Sequence, residues 1–240
     1  MQINLKNIIL VFNLSLLIIH SNEGIAQNFK ADYKKVQETY SQMDNFYCEI
    51  KIDIYAKANS SKANETLKSV IKKQKNNYWY SLGNDEMLYT DESAIYVNKE
   101  TKEITYSIRN KKKEITIPNQ DVSRLVDSLT KMSDSIVFKG VSESHKKYMI
   151  YSSKSVITKA ELEINAINNT ISKATYYYDT KKNIESEKVV VNYDKIDLNH
   201  TFDSNEFSEK MYVKQSNKKV TPLGVFASYK ILVIDENDIK

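Results

Sequence analysis

The sequence predicts a mainly β protein with some α-helix, built on one long antiparallel sheet. Segments that alternate between apolar and polar residues recur roughly every 8–12 residues, and short connections rich in Asn, Asp, Ser and Lys separate them. Only two stretches of the mature chain have helical periodicity instead. Glycine and proline are scarce, at four and two of 240 residues. A sheet of so many strands must curl strongly, so we expect the helices to lie against its concave face.

The first 26 residues have the three-part pattern of a secretory signal peptide. Residues 1–7 carry Lys6, residues 8–19 are apolar apart from two polar positions, and Gly24-Ile25-Ala26 offers small residues for cleavage. A membrane anchor is the alternative, but this apolar run is shorter than the roughly 20 residues needed to span a bilayer. We therefore predict export and a soluble mature chain that begins near Gln27.

The mature chain opens with a helix that runs into a strongly alternating strand. Five apolar residues at helical spacing predict an amphipathic helix of about four turns: Phe29, Tyr33, Val36, Tyr40 and Met43. Four apolar residues then alternate with polar ones: Cys48, Ile50, Ile52 and Ile54. This alternation predicts a strand with one face on a core and the other in water.

Further strands follow on both sides of a second predicted helix. The first group is predicted at residues 69–73, 78–82, 86–90, 94–97, 103–109 and 114–117. A helix then begins at Pro118-Asn119, with Val122, Leu125, Val126, Leu129 and Met132 on one face. The second group is predicted at residues 135–141, 147–152, 160–166, 170–178, 187–193, 207–213 and 229–234, with Asn168-Asn169 as a hairpin turn. We predict one domain over residues 27–213 and a C-terminal extension, residues 214–240, that holds one strand.

Composition excludes several classes of protein. Cys48 is the single cysteine, so no disulfide forms within a monomer, and its alternating surroundings favour a buried thiol over a reactive one. The net charge is +4. Basic clusters at residues 111–113, 146–147, 181–182 and 218–219 fall in predicted turns or strand ends, where solvated charge is the simplest interpretation and an anionic membrane or nucleic acid the alternative. We predict no nucleic-acid partner.

Signatures of catalysis are largely absent from the sequence. It has no glycine-rich phosphate loop, no zinc-binding pair of Cys or His at ligand spacing, and no Gly-x-Ser-x-Gly elbow. The mature chain has two histidines, His145 and His200, far apart and beside predicted turns. Acid pairs at residues 85–86 and 91–92 would form a dyad only if folding brought them together. The sequence therefore predicts a non-enzyme with no metal and no cofactor.

Tyrosine is abundant on the predicted strands, with 17 in the chain. Tyr78-Trp79-Tyr80 and Tyr176-Tyr177-Tyr178 place rings on both faces of their strands. Tyrosine suits a surface that is half apolar and half wet. Ordinary core packing and strand propensity account for this pattern, and a face that lines a cavity for an apolar ligand is the alternative.

Three strings carry a family resemblance. YSQMDNFYCEIKIDIYA runs from helix into strand, and KKQKNNYWYSLGNDEMLYTDESAIYVNKETKEITYSI has a basic strand end, an aromatic pair, a turn and a charged hairpin. VVVNYDKIDLNHTFDSNEFSEK is a late strand followed by Asp-x-x-x-Phe, here Asp203 and Phe207. With the order of elements, residues 29–213 resemble the outer-membrane lipoprotein carrier proteins, the LolA/LolB-like superfamily. Lys72 or Lys73 fills the family's basic strand position.

The resemblance implies an open half-barrel lidded by two or three helices over a hydrophobic cavity. It implies a periplasmic carrier that holds lipid or lipoprotein acyl chains and delivers them towards the outer membrane, acting as a monomer with inner- and outer-membrane lipoprotein-sorting components. The alternative is a non-catalytic periplasmic binding or envelope-sensing module of the same fold. We expect ten residues to line the cavity: Cys48, Ile50, Ile52, Ile54, Trp79, Val122, Leu125, Val126, Leu129 and Met132.

Overall fold

The computed structural model describes residues 23–109, 133–153, 155–179, 186–216 and 219–235. The predicted strand at residues 114–117 and the predicted second helix lie outside these ranges, as do the first 22 residues of the predicted signal peptide. The helix in the described ranges is α1 (Glu23–Ser41), which begins a few residues before the predicted cleavage site and ends before Met43. No helix in these ranges combines the length and the apolar character that crossing a bilayer requires.

Fourteen strands follow α1 in the described ranges. They are β1 (Asn45–Tyr55), β2 (Glu65–Gln74), β3 (Asn77–Leu82), β4 (Asp85–Tyr89), β5 (Ser93–Asn98), β6 (Glu103–Ile108), β7 (Ser135–Ser142), β8 (His145–Tyr151), β9 (Ile157–Asn165), β10 (Thr170–Tyr178), β11 (Lys188–Asp197), β12 (Val213–Ser216), β13 (Lys219–Pro222) and β14 (Lys230–Asp235). The alternation of apolar and polar residues located ten of the predicted strands to within a few residues. Asn169, with φ of +52°, lies in the predicted turn between β9 and β10.

Twelve of these strands form one sheet, in the order β14-β6-β5-β4-β3-β2-β1-β11-β10-β9-β8-β7. The strand pairs whose register is defined are antiparallel, apart from β14, which runs parallel to β6 with Lys230 opposite Glu103. β12 and β13 form a separate hairpin. The strand order ends at β14 and β7, so among the described residues the sheet has two edges and does not close into a barrel. The predicted fold class, mainly β with a large open antiparallel sheet, is confirmed.

The chain divides into two compact units, and neither is a continuous stretch of sequence. Among the described residues, the first contains 23–42, 51–66, 133–153, 155–179 and 186–193, and the second contains 43–50, 67–109, 194–216 and 219–235. The sequence predicts a single domain. It gives no signal for the two units, because one boundary between them falls inside β1 rather than at a linker.

In the first unit, α1 packs on strands β7 to β10. The helical spacing seen in the sequence places Phe29, Tyr33 and Val36 in the core, and Tyr40 packs at its margin. The sheet side of this core is Ile136, Tyr148, Leu162, Ile164 and Ala174. Burial of these apolar side chains, rather than helix propensity alone, holds α1 in place.

A polar contact accompanies this apolar packing. Asp32 lies on α1 with only 9% of its surface exposed. Its carboxylate accepts hydrogen bonds from Lys146 Nζ at 2.7 and 2.8 Å and from Tyr148 Oη at 2.5 Å. A carboxylate is removed from water at low cost only when it is paired and hydrogen-bonded in this way.

In the second unit, β2 to β6 form the meander that the sequence predicts. Each strand pairs with the next in antiparallel register, and Leu88 lies opposite Trp79 on one side and Ile95 on the other. Their apolar side chains cluster with aromatic residues from the C-terminal part of the unit, namely Phe202, Phe207, Tyr212 and Phe226. The core of this unit therefore needs the C-terminal residues.

The C-terminal part differs from its prediction in two ways. Residues 207–212 of the predicted strand 207–213 instead form turns and a 3₁₀ turn at Glu209–Met211, and Val213 begins β12. Ser208 Oγ accepts a hydrogen bond from the Lys210 amide at 3.3 Å, and such local bonds compete with strand pairing. Where one strand was expected within residues 214–240, the structure has β12, β13 and β14, so the extension is part of the second unit.

Candidate functional site

The apolar face of β1 is intact in the structure. Cys48, Ile50, Ile52 and Ile54 share this face, and each is only 1–4% exposed. Of the intervening side chains, Glu49 and Lys51 are partly exposed, as expected for a strand with one wet face. Asp53 departs from this pattern: it is buried, and its carboxylate accepts a hydrogen bond from Thr66 Oγ1 at 2.7 Å. The face is thus covered, and a ligand would reach it only after the part of the protein that covers it moved.

Cys48 is a packing residue rather than a nucleophile. Burial, followed by the nearby charges of Glu49 and Asp194, raises the pKa of its thiol to about 12. The thiolate is the reactive form of cysteine, and a raised pKa removes it at neutral pH. The predicted buried thiol agrees with this geometry.

Trp79, the predicted cavity residue on β3, packs at the margin of the core of the second unit. Its Nε1 donates a hydrogen bond to Tyr212 Oη at 2.7 Å, and Tyr212 Oη donates to Glu86 Oε2 at 2.8 Å. Lys72 Nζ lies 4.8 Å from the centre of the indole ring, within the range of a cation–π contact. Trp79 is therefore fixed in orientation by polar contacts on its edge and face.

The two lysines that the resemblance leaves as alternatives have different environments. Lys72 Nζ donates a hydrogen bond to Glu206 Oε2 at 2.5 Å. Glu206 lies between Asp203 and Phe207, the two ends of the Asp-x-x-x-Phe segment. Lys73 Nζ instead donates to the carbonyl of Met43 at 2.5 Å. Lys72 is thus the basic residue that contacts the Asp-x-x-x-Phe segment, and the amide of Asp203 bonds the other oxygen of Glu206 at 3.2 Å.

The remaining predicted cavity residues, Val122, Leu125, Val126, Leu129 and Met132, lie outside the described residues. Their contribution to a lid or a cavity stays a prediction.

The second unit also contains an open cleft of about 690 Å³. None of the five predicted cavity residues that the structure describes lines it. Its walls come from three parts of the unit: Asn77; Thr90, Asp91 and Glu92; and Phe207, Ser208, Glu209, Lys210, Val213, Lys214, Gln215 and Leu223. The lining mixes charged, polar and apolar side chains, so it suits a polar or peptide-like ligand better than a hydrocarbon chain.

Glu209 is the most constrained polar group in this cleft. Its Oε1 accepts a hydrogen bond from Ser93 Oγ, and its Oε2 accepts from Tyr106 Oη at 3.1 Å and from Gln215 Nε2 at 2.9 Å. All three donors are neutral. Burial, followed by the charge of Glu209, raises the pKa of Tyr106 to about 12, so Tyr106 remains a hydrogen-bond donor at neutral pH. The arrangement fixes the Glu209 carboxylate in one orientation at the wall of the cleft.

Sequence reasoning did not find this network. Ser93 and Glu209 are 116 positions apart, and nothing in their local patterns connects them. Only the packing of the C-terminal part on the meander brings them together. Within the described residues, no three His, Cys, Asp or Glu side chains are placed to hold a metal ion.

Comparisons with known proteins find likenesses only among solved structures. No family model matches the chain. No curated protein matches it. An uncharacterized conserved protein from Thermus thermophilus aligns with a TM-score of 0.49 and 8% identity, over 86% of this chain and 99% of that one.

Two further structures align in the same way. One is from the MucA/MucB complex of Pseudomonas aeruginosa, with a TM-score of 0.46 and 9% identity over 82% of this chain and 64% of that one. The other is a LolA superfamily protein from Nitrosomonas europaea, with a TM-score of 0.32 and 11% identity over 76% of this chain and 98% of that one. The structural neighbours thus include the superfamily that the sequence resembles.

Proposed function

We propose that this protein is an exported, non-catalytic carrier that holds an acyl chain of a lipid or lipoprotein in the periplasm and delivers it towards the outer membrane. The observation that supports the proposal best is the continuous apolar face of β1, formed by Cys48, Ile50, Ile52 and Ile54. The signal-like N terminus supports export. The resemblance of residues 29–213 to the lipoprotein carriers supports the class of ligand.

The energetics of this proposal depend on apolar area. Each buried methylene contributes about 0.8 kcal/mol, so a chain of roughly sixteen carbons gains about 12 kcal/mol before the cost of association. That cost is about 4–15 kcal/mol, so the gain is sufficient only if most of the chain is buried. Because the β1 face is buried in the structure, the carrier must open to load. We propose the apolar face of residues 122–132 as the part that opens.

The direct test is mass spectrometry of lipids that copurify with the full chain from its native envelope. We expect a lipid or an acylated protein in near-stoichiometric amount, and displacement of it by a fluorescent fatty acid. Protein that is folded, free of lipid and unable to bind the fluorescent fatty acid would refute the proposal.

Two variants locate the binding face. Ile52→Asp places a charge on the apolar face of β1 and is expected to abolish binding of the fluorescent fatty acid. Ile52→Ala is expected only to weaken binding, and it serves as the second variant in case Ile52→Asp does not fold. Ile167→Asp is the matched control, because Ile167 is 78% exposed in the turn after β9. Circular dichroism verifies that each variant is folded. Equal binding by all three variants would exclude the β1 face.

A further variant addresses the proposed lid. Leu125→Asp is expected to abolish binding of the same fluorescent fatty acid if residues 122–132 cover the ligand. Normal binding by a folded Leu125→Asp protein would remove this segment from the proposal and leave the β1 face untouched.

The cleft of the second unit favours one other function, a binding or envelope-sensing module with a peptide ligand. Its mixed lining and the fixed Glu209 carboxylate support that alternative. Native mass spectrometry of protein taken from its envelope distinguishes the two. A retained peptide that is lost in Glu209→Gln favours the module, and a retained lipid that survives the same substitution favours the carrier.

A further inference from the structure

The chain from Lys210 to Ile234 has a charge composition unlike the rest of the protein. It holds five lysines and no aspartate or glutamate, although 31 acidic residues are spread over the full 240. Glu209, the acidic residue just before it, is directed into the cleft and bonded there to Tyr106 and Gln215. The segment thus carries five positive charges and no acidic residue of its own, while Asp91, Glu92 and Glu209 share the cleft lining with Lys210 and Lys214.

The same segment is rich in exposed apolar side chains. Of eleven large apolar residues that are exposed in the described ranges, five lie here: Met211, Leu223, Val225, Leu232 and Val233. Val225 is the most exposed, at 85%. Single exposed apolar residues need no explanation, but this concentration beside lysines does.

The hairpin of β12 and β13 places two of the lysines on one face, and one of them, Lys214, also lines the cleft. Lys214 lies opposite Thr221, and Ser216 lies opposite Lys219. Because side chains alternate along a strand, Lys214 and Lys219 project from one face of this hairpin. The other face carries the buried Val213 and directs Gln215 to Glu209, so it packs on the body of the second unit.

The apolar residues are held beside this lysine face by backbone contacts. The amide of Leu223 donates to the carbonyl of Tyr212 at 2.8 Å, and Leu223 lines the cleft together with Lys210 and Lys214. Phe226 is buried in the core of the unit, so the 3₁₀ turn Gly224–Phe226 is anchored while Val225 projects into solvent. We call Lys210, Met211, Lys214, Lys219, Leu223 and Val225 the basic–apolar patch.

We propose that the basic–apolar patch docks the protein on the surface of an anionic phospholipid bilayer. Lysines near an anionic leaflet are attracted to its negative potential, and apolar side chains beside them insert at the boundary between head groups and acyl chains. The lysines alone could be explained as solvated charges in turns, but that explanation does not cover the exposed Val225 and the other apolar residues of the patch. A protein partner is the weaker match, because lysine is depleted at the core of protein–protein interfaces.

Sedimentation of the full mature chain with vesicles tests this surface. Vesicles with about 30 mol% phosphatidylglycerol in phosphatidylcholine are expected to bind the protein, and vesicles of phosphatidylcholine alone are not. Binding should weaken when salt shortens the Debye length. Each lysine is expected to contribute about fivefold, so the triple variant Lys210→Gln, Lys214→Gln, Lys219→Gln should lose about 100-fold in partitioning. Val225→Asp should also reduce binding, because it replaces an apolar side chain that inserts into the bilayer with a charged one.

The matched control is Lys57→Gln, Lys62→Gln, Lys68→Gln, which removes the same charge from three exposed lysines outside the patch. It should bind within a few-fold of the parent protein. Equal losses in both triple variants, no binding to anionic vesicles, or capture of a protein partner without vesicle binding would each overturn the proposal. No acyl ligand is added in this assay, so its result is independent of whether the β1 face binds a hydrocarbon chain.

Discussion

Replacing Asp32 by alanine tests whether one carboxylate fixes α1 to the sheet of the first unit. The substitution removes the acceptor of three hydrogen bonds, two from Lys146 Nζ and one from Tyr148 Oη. It leaves the hydroxyl of Tyr148 buried without this acceptor, because that residue is only 1% exposed. Lys146 is less affected, since 30% of its side chain is exposed and its ammonium group can regain water.

The magnitude follows from these environments. A hydrogen bond to a charged group contributes about 1.5–3 kcal/mol, and a buried donor left unsatisfied costs about 1–3 kcal/mol. With the discount for Lys146, we expect Asp32→Ala to lower the free energy of unfolding by about 3 kcal/mol. Tyr148→Phe removes only one donor and should cost about 1 kcal/mol. Because both substitutions break the same bond, the double variant should cost less than the two single variants together.

Urea unfolding followed by far-ultraviolet circular dichroism measures all three variants. Lys34→Ala is the control on the same helix, because Lys34 is exposed and its pair with Glu38 at 3.6 Å is a surface contact worth well under about 1 kcal/mol. A loss below about 0.5 kcal/mol for Asp32→Ala, or strict additivity in the double variant, would refute the structural interpretation of this contact.

Three further predictions concern other groups. Native Cys48 should react with a thiol reagent on the order of 1,000-fold more slowly than in urea, since burial raises its pKa to about 12; a fast native reaction would contradict this. For Glu206, burial alone raises the pKa, but hydrogen bonds from Lys72 and the Asp203 amide lower it overall. The stabilisation that ionised Glu206 gives the folded state is therefore present above the unfolded pKa of about 4.3 and is lost as pH falls through the pKa of Glu206 in the folded protein. Lys72→Gln should cost at most about 1 kcal/mol at pH 7 and less in acid, where only its contact with Trp79 is lost, as urea titrations at both pH values can check. Trp79→Phe removes the donor to Tyr212 Oη and should cost about 1 kcal/mol in thermal unfolding; an unchanged midpoint would contradict it.

The strands were predictable because their signal is local. The alternation from Cys48 to Ile54 is decided by residues two positions apart, and the antiparallel meander of β2 to β6 needs only short turns. At Lys75 and Lys102 the backbone adopts φ of +55° and +56° without glycine, which agrees with turns built from other residues. Helix α1 was predictable for the same reason, from spacing within about 20 residues.

The C-terminal part and the cleft were not predictable because their determinants are distant in sequence. Residues 207–213 have apolar content typical of a strand, yet Phe207 is buried in a turn, and only Val213, the first residue of β12, is in a strand; both pack in the core of the meander. Glu209 acquires its role from Ser93 and Tyr106, which are 116 and 103 positions away. The parallel pairing of β14 with β6 also contradicts the expectation that neighbouring elements in sequence pair with one another.

The place of β14 in the sheet has a consequence for how the protein is made. β6 is complete by residue 108, but the strand that covers its outer edge begins at residue 230 and pairs with residues 103–108. During synthesis, that edge and its backbone donors stay unpaired until residues 230–235 have emerged. An uncovered strand edge is a template for pairing with other chains. Polypeptides that end before residue 230 would therefore leave β6 as the outer strand at this end of the described sheet, whereas in the full chain β14 pairs with β6 and takes that place.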